Sequence, residues 1–152
     1  MTTQPISRRI KADLSFVLTP VLRVPDVQHA MIITADGFFE AHSGLDAEAA
    51  EKLAAVVASL LAAGRGTSET YYGSRSVLRT VMVETQHGYL FVIPAAESSY
   101  LAVFTGPNVA MDNVIYEMQK QVQTLGKAMA VPPRRGAADE EAPAPDADGR
   151  FA

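Results

Sequence analysis

The stretch MIITADGFFEA, Met31 to Ala41, sets an Asp-Gly step between two apolar runs. Both residues of that step tolerate positive φ, which makes Asp-Gly between apolar segments the strongest short-range signal of a β-hairpin. The spacing predicts a strand over Gln28–Thr34, a turn at Ala35-Asp36-Gly37 and a second strand over Phe38–His42. A ribbon with one wet face would alternate apolar and polar residues, yet Ala30, Met31, Ile32 and Ile33 are apolar in succession. The hairpin must therefore lie in a sheet covered on both faces.

Three more strands follow as a meander: Val77–Thr85, Tyr89–Pro94 after the turn Gln86-His87-Gly88, and Ser99–Thr105 after Ala96-Glu97-Ser98. The first, fourth and fifth strands carry AMII, YLFVI and YLAVF and are apolar on successive residues, so they belong in the interior. Placing the first beside the fifth gives one antiparallel sheet in the order 2-1-5-4-3. The third strand then lies at an edge, with Val77, Arg79, Val81 and Val83 on one face and Leu78, Thr80 and Met82 on the other. A long β-branched edge of that kind pairs with something, and the same strand of a second copy is the natural candidate.

Three helices complete an α+β sandwich. Arg8–Leu22 repeats Ile10, Leu14, Val17, Leu18 and Val21 at helical spacing, and Pro20 should distort or stop it, with Pro25-Asp26 finishing the turn. Asp46–Ala63 opens on a capping Asp and is expected to stop at Gly64-Arg65-Gly66. The last helix should run from a cap at Asn108 through Met111, Val114, Ile115, Met118, Val122, Leu125 and Met129. The first and last helices carry narrow apolar stripes that suit one sheet face. On a wheel at about 100° per residue, the middle helix sweeps an apolar arc of roughly 180° through Ala63, Val56, Ala49, Leu60, Leu53, Val57, Ala50, Leu61 and Ala54. It covers the other face and must bury a second side as well.

That second side nominates a two-fold interface: Ala49, Leu53, Val56, Val57 and Leu60 on the middle helix, with Arg79, Val81 and Val83 on the third strand. The opposite side of the helix holds Glu48, Glu51, Lys52 and Ser59 beside Ala55, Ala58 and Ala62, a flat strip of low charge. Alanine strips suit close helix approach, although alanine is also simply the best helix former.

The chain has 152 residues, 48% hydrophobic and 20% charged, enough for a single core. A net charge of −4 argues against a nucleic-acid surface, which needs a clustered Lys/Arg excess. With no cysteine, thiolate chemistry and Cys-based zinc sites are excluded. No stretch approaches the roughly 20 apolar residues of a membrane span, so direct membrane insertion is not expected and a cytoplasmic protein is, any membrane association coming through partners. Residues 1–6 are expected to be disordered, 7–130 to form the domain, and 131–152, rich in Pro, Ala and acidic residues, to form a disordered tail.

Catalytic constellations are missing from the pattern. His29, His42 and His87 lack metal-ligand spacing and read as strand-end or turn residues. Ser98-Ser99 and Ser74-Arg75-Ser76 have no nucleophile-elbow context. Gly64, Gly66 and Gly73 follow a helix, whereas a phosphate loop opens one. Glu48 and Glu51 lie on a solvated face, and Glu140-Glu141 in the tail. Arg65, Arg75 and Arg79 cluster near the loop into the third strand, where they suit an acidic or phosphate-bearing partner. No catalytic residue, metal or cofactor is expected.

The stretches VPDVQHAMIITADGFFEA, LDAEAAEKLAAVVASLLAAGRG, LRTVMVETQHGYLFVI and VIYEMQK, spread over most of Leu14 to Met129, are similar to the Roadblock/dynein light-chain family, in particular its bacterial members encoded with small Ras-like GTPases. The resemblance implies the same order of helices and strands, dimerisation through the middle helix and third strand, and a non-enzymatic role as scaffold or regulator of a small Ras-like GTPase. It further implies a signalling module with a sensor-kinase-like protein. The GTPase would sit on Glu48, Glu51, Lys52, Ala55, Ser59 and Ala62, presented twice by a helix pair. The chain departs from the familiar pattern at Pro20, where bacterial relatives usually continue the first helix. Two other readings fit the same sheet: a PAS- or profilin-like sensory module, which would enclose a ligand cavity, and a purely structural assembly subunit.

Because Val131–Ala152 carries few large apolar side chains, its deletion should leave the melting temperature of the domain unchanged, as a thermal scan of both forms will show.

Overall fold

The computed structural model describes residues 14–130. Its elements are α1 (Ser15–Leu22), β1 (Val27–Thr34), β2 (Phe39–His42), α2 (Ala47–Tyr72), β3 (Val81–Thr85), β4 (Gly88–Pro94), β5 (Ser99–Thr105) and α3 (Met111–Ala130). The expectations for residues 1–6, for the first turns of the first helix and for the tail from Val131 lie outside the described residues.

The strands form one sheet in the order β2-β1-β5-β4-β3, as apolar content predicts. All pairings are antiparallel, and β1 joins the hairpin to the meander through Ala30↔Val103, Met31↔Ala102, Ile32↔Leu101 and Ile33↔Tyr100. Each of Ala30, Met31, Ile32 and Ile33 is fully buried. Because side chains alternate across a strand, Ala30 and Ile32 enter one core and Met31 and Ile33 the other. The first core holds Val17, Leu18 and Val21 of α1 with Val114, Met118 and Leu125 of α3. The second holds Ala50, Ala54, Val57 and Leu61 of α2. One helix thus covers one face and two cover the other.

The hairpin closes with Gly37 at φ +94°, Thr34 N–H donating to Phe38 O at 2.8 Å, and Gly37 N–H to Thr34 O at 3.1 Å. At the far end of the sheet, Asp26 at φ +70° clasps the start of β1 to the exit of β5: its carbonyl accepts from Gly106 N–H at 2.8 Å and its carboxylate from Asn108 N–H at 2.8 Å.

Several boundaries differ from the sequence reading. α1 runs through Pro20 to Leu22. The missing Pro20 N–H leaves Phe16 O without its helical donor, but Val17, Leu18 and Val21 are pinned in the core, and bonds from Arg23 N–H to Pro20 O and Val24 N–H to Val21 O tighten the last turn. α2 does not stop at Gly64-Arg65-Gly66; it continues to Tyr72 and is terminated by Gly73 at φ +106°. Gly64 serves close approach instead, since a Cβ there would lie 3.2 Å from both Leu78 Cδ2 and Val81 Cγ2. β3 begins at Val81, four residues later than expected. Continuing its register from Val81↔Val92 would set Arg79 against Pro94, which has no N–H to give the ladder. Arg79 is therefore an exposed loop residue, not part of the strand face. α3 starts at Met111 with Ala110 O accepting from Asn113 and Val114, while Asn108 serves the Asp26 clasp. The cap at Asp46 is as expected, its Oδ1 accepting from Ala49 N–H at 2.8 Å.

A Cβ on Gly88 (φ +147°) would lie 1.9 Å from Thr105 O, whereas a Cβ on Gly66 meets nothing within 4 Å. Gly88→Ala should cost about 3 kcal/mol, from strain and a backbone clash. Gly66→Ala should stabilise the helix by about 0.5–1 kcal/mol. Urea unfolding of the two variants checks both signs.

Candidate interaction surface

α2 divides into three faces. Toward the sheet, Ala50, Ala54, Val57 and Leu61 are at most 1% exposed. Val57, expected at a two-fold interface, is thus committed to the core of its own chain. The remaining part of the apolar arc is uncovered: Ala49, Leu53 and Leu60 are half-buried, Ala63 is exposed and Val56 is 56% exposed. On the wheel this flank lies next to Gly64, the side on which Leu78 and Val81 approach, and so beside β3. Among the described residues β3 pairs only with β4, leaving its other edge open, with Val81 and Val83 half-buried.

The third face carries Glu48, Glu51, Lys52, Ala55, Ser59 and Ala62, all exposed. Lys52 pairs with Glu48 at 3.0 Å, and Ser59 Oγ donates to Ala55 O at 3.1 Å. The alanines have a structural use that the sequence reading missed. The β1–β2 turn lies against them, since a Cβ on Gly37 would sit 3.5 Å from Ala55 Cα and 3.7 Å from Ala58 Cβ. Phe38, the residue after that turn, is 68% exposed. Phe38 is expected in the second strand from its apolar character; its position directly after Asp-Gly is the signal that places it at the turn. Tyr71 and Tyr72, 81% and 77% exposed, stand on the two turns of α2 beyond the expected stop.

Most of the other polar groups singled out in the sequence make local contacts, although the buried His42 Nδ1 has no hydrogen-bond partner among the described residues. His29 Nδ1 bonds Ser43 O at 2.9 Å, His42 packs edge-on against Phe39 with centroids 4.9 Å apart, and His87 bonds Gln86 at 3.1 Å within its turn. Ser99 donates to Glu40 at 3.2 Å, and Ser68 and Ser76 bond each other. Arg65 lies over the Tyr100 ring at 5.5 Å, while Arg75 and Arg79 are exposed in the loop. A hydrogen bond to the Glu84 carboxylate, with its charge, raises the Tyr89 phenol above its ordinary value. Among the described residues, no group of three or more His, Asp or Glu could hold a metal, and no helix is long and apolar enough to cross a membrane.

One antiparallel sheet between a single long helix and a helix pair is an architecture shared with Acanthamoeba castellanii profilin II, at 16% identity over 73% of this chain and 94% of that one, with a TM-score of 0.53. More specifically, residues 14–105 match the Roadblock/LC7 domain, and the chain belongs to that family. The crystal structure of a Roadblock/LC7 domain from Streptomyces avermitilis is 28% identical over 78% of this chain and 99% of that one, with a TM-score of 0.72. Myxococcus xanthus MglB shares the fold at 15% identity over 89% of this chain and 99% of that one, with a TM-score of 0.68. No curated protein matches the chain.

The two adjacent valines of α2 separate core from surface. Val57→Glu buries an unpaired charge and should abolish cooperative folding. Val56→Glu, on the uncovered flank, should retain the native circular dichroism spectrum and change monomer stability by less than about 0.5 kcal/mol.

Proposed function

We propose that the chain is a non-enzymatic homodimeric scaffold or regulator of a small Ras-like GTPase in a bacterial signalling module. The observation that carries this reading is the apolar flank of α2, formed by Ala49, Leu53, Val56 and Leu60 and left uncovered beside the open edge of β3. A two-fold axis there covers both at once, joining β3 to its copy and setting two α2 helices side by side. Val81 and Val83 lie at the same edge, with Arg79 in the loop above it.

The paired helices then present Glu48, Glu51, Lys52, Ala55, Ser59 and Ala62 twice, a shallow platform that admits one globular partner across the axis. Family membership supports a Ras-like GTPase as that partner. The strip holds neither an arginine nor a glutamine that would enter a nucleotide site, so any effect on hydrolysis comes from positioning the GTPase's own residues.

Ser59→Arg should leave the dimer intact and change folding stability by no more than about 0.5 kcal/mol, while weakening binding of a small Ras-like GTPase by at least about tenfold in titration calorimetry. An unchanged affinity in a dimeric variant would move the platform to the outer faces of α1 and α3. A monomer at tens of micromolar by light scattering would overturn the dimer itself.

A further inference from the structure

The segment that leads from α2 to β3 is held along an extended path with one side turned to solvent. Ser76 N–H donates to Gly73 O at 3.0 Å and closes the turn at the end of the helix. From there the chain runs back along α2: Ser76 and Ser68 share a hydrogen bond, and a Cβ on Gly64 would lie 3.2 Å from Leu78 Cδ2. Two residues of the segment thus keep pace with four of the helix, as an extended chain at about 3.3 Å per residue does beside a helix at about 1.5 Å. Ser76 and Leu78 are half-buried, whereas Arg75, Val77 and Arg79 are exposed, Val77 by 77%. That alternation belongs to a strand with one face on α2. Arg79 and Thr80 are exposed in succession, so the alternation breaks ahead of β3 and sets the outward stripe apart from the strand face.

The stripe is short of partners. Among the described residues, Arg75 and Arg79 make no ion pair, and the main-chain groups of Val77, Leu78 and Arg79 make no hydrogen bond. No acidic residue occurs between Glu69 and Glu84, in a chain whose net charge is −4. Two guanidinium groups on Cα atoms about 13 Å apart therefore flank an exposed apolar side chain, along a backbone with open donors and acceptors. An added strand answers all three features, since main-chain hydrogen bonds supply its affinity and alternate side chains its specificity. A carboxylate opposite each arginine and an apolar side chain opposite Val77 complete the match. The acidic residues after Val131 are Asp139, Glu140, Glu141, Asp146 and Asp148, and no two of them are four apart, so the chain does not supply this pattern itself. An anionic lipid surface fits less well, because it is recognised by clusters of about four to eight basic residues and leaves the main chain unpaired.

We propose that residues 75–79 are a docking site for an extended acidic segment of another protein, which adds to them as a strand with the pattern acidic-x-apolar-x-acidic. The site goes beyond the reading above and needs neither the dimer nor the platform on α2.

Amide spectra of the isotope-labelled full chain, titrated with the blocked peptide Thr-Glu-Thr-Val-Thr-Glu-Thr to about 5 mM, the range of a weak transient contact, should shift at Val77, Leu78 and Arg79. The same peptide with lysine in place of both glutamates should bind at least about tenfold more weakly. The double variant Arg75→Glu/Arg79→Glu, changed only at exposed side chains, should keep the native spectrum elsewhere and reverse that preference. Strand addition has its own control, because successive N–H groups of a strand point to opposite edges. Of two N-methylated peptides, one methylated at the two inner threonines and the other at the glutamates and valine, at least one should lose about tenfold in affinity. Equal binding of both to that of the parent peptide overturns the added strand. No shift at Val77, Leu78 and Arg79 by about 5 mM, or equal binding of the lysine peptide, overturns the site. Shifts there with phosphatidylglycerol vesicles and none with the peptide overturn it in favour of a lipid surface.

Discussion

The pairing of β1 with β5 carries the rest of the molecule. It joins a hairpin to a meander, and each of the two strands is apolar on both faces. Burying a run such as Ala30 to Ile33 on only one side would leave half of it in water, at about 25 cal/mol for each Å² exposed. Helices are therefore required above and below. α1 and α3 share one face because their stripes are narrow, and α2 takes the other alone. A single helix over five strands needs a broad apolar surface, and that breadth exceeds what its own sheet can cover. The surplus on α2 is thus a by-product of the arrangement that buries β1, and it is the feature that the proposed assembly uses.

Much of this was legible from local pattern. Asp-Gly between apolar runs placed the hairpin, unbroken apolarity sorted interior strands from edges, and Asp46 announced the start of α2. The errors share a physical origin. Gly64 and Gly66 signal a helix end when only the helix is considered, yet Gly64 is small because Leu78 and Val81 press on it from the loop and strand that follow. Val77 to Thr80 have strand-forming composition, but their would-be partner positions on β4 end in a proline. Asn108 has the side chain of a cap, but its backbone N–H is held by the Asp26 carboxylate 82 residues away, three residues before the helix begins. In each case a contact distant in sequence overrode a sound local preference.

The candidate surface on α2 was legible in its composition and only partly in its geometry. The wheel separated an apolar arc from an alanine strip, but it could not divide the arc into a buried half containing Val57 and an exposed half containing Val56. Neither could it show that the hairpin turn abuts Ala55 and Ala58, because that proximity arises from how α2 crosses the sheet.

The same central pairing governs how the chain acquires its structure in time. β1 finds its inner neighbour roughly 70 residues later, and a topology so rich in distant contacts folds slowly for its size. During synthesis Ala30 to Ile33 emerge long before Leu101 to Val103 exist to receive them, so a greasy strand must wait with only β2 beside it. That interval exposes an edge prone to pairing with other chains. Asp36-Gly37 and the short, half-buried β2 then act as a temporary guard, holding one side of β1 until β5 arrives. The Asp26 clasp, which needs Gly106 and Asn108, closes only when the whole sheet is present.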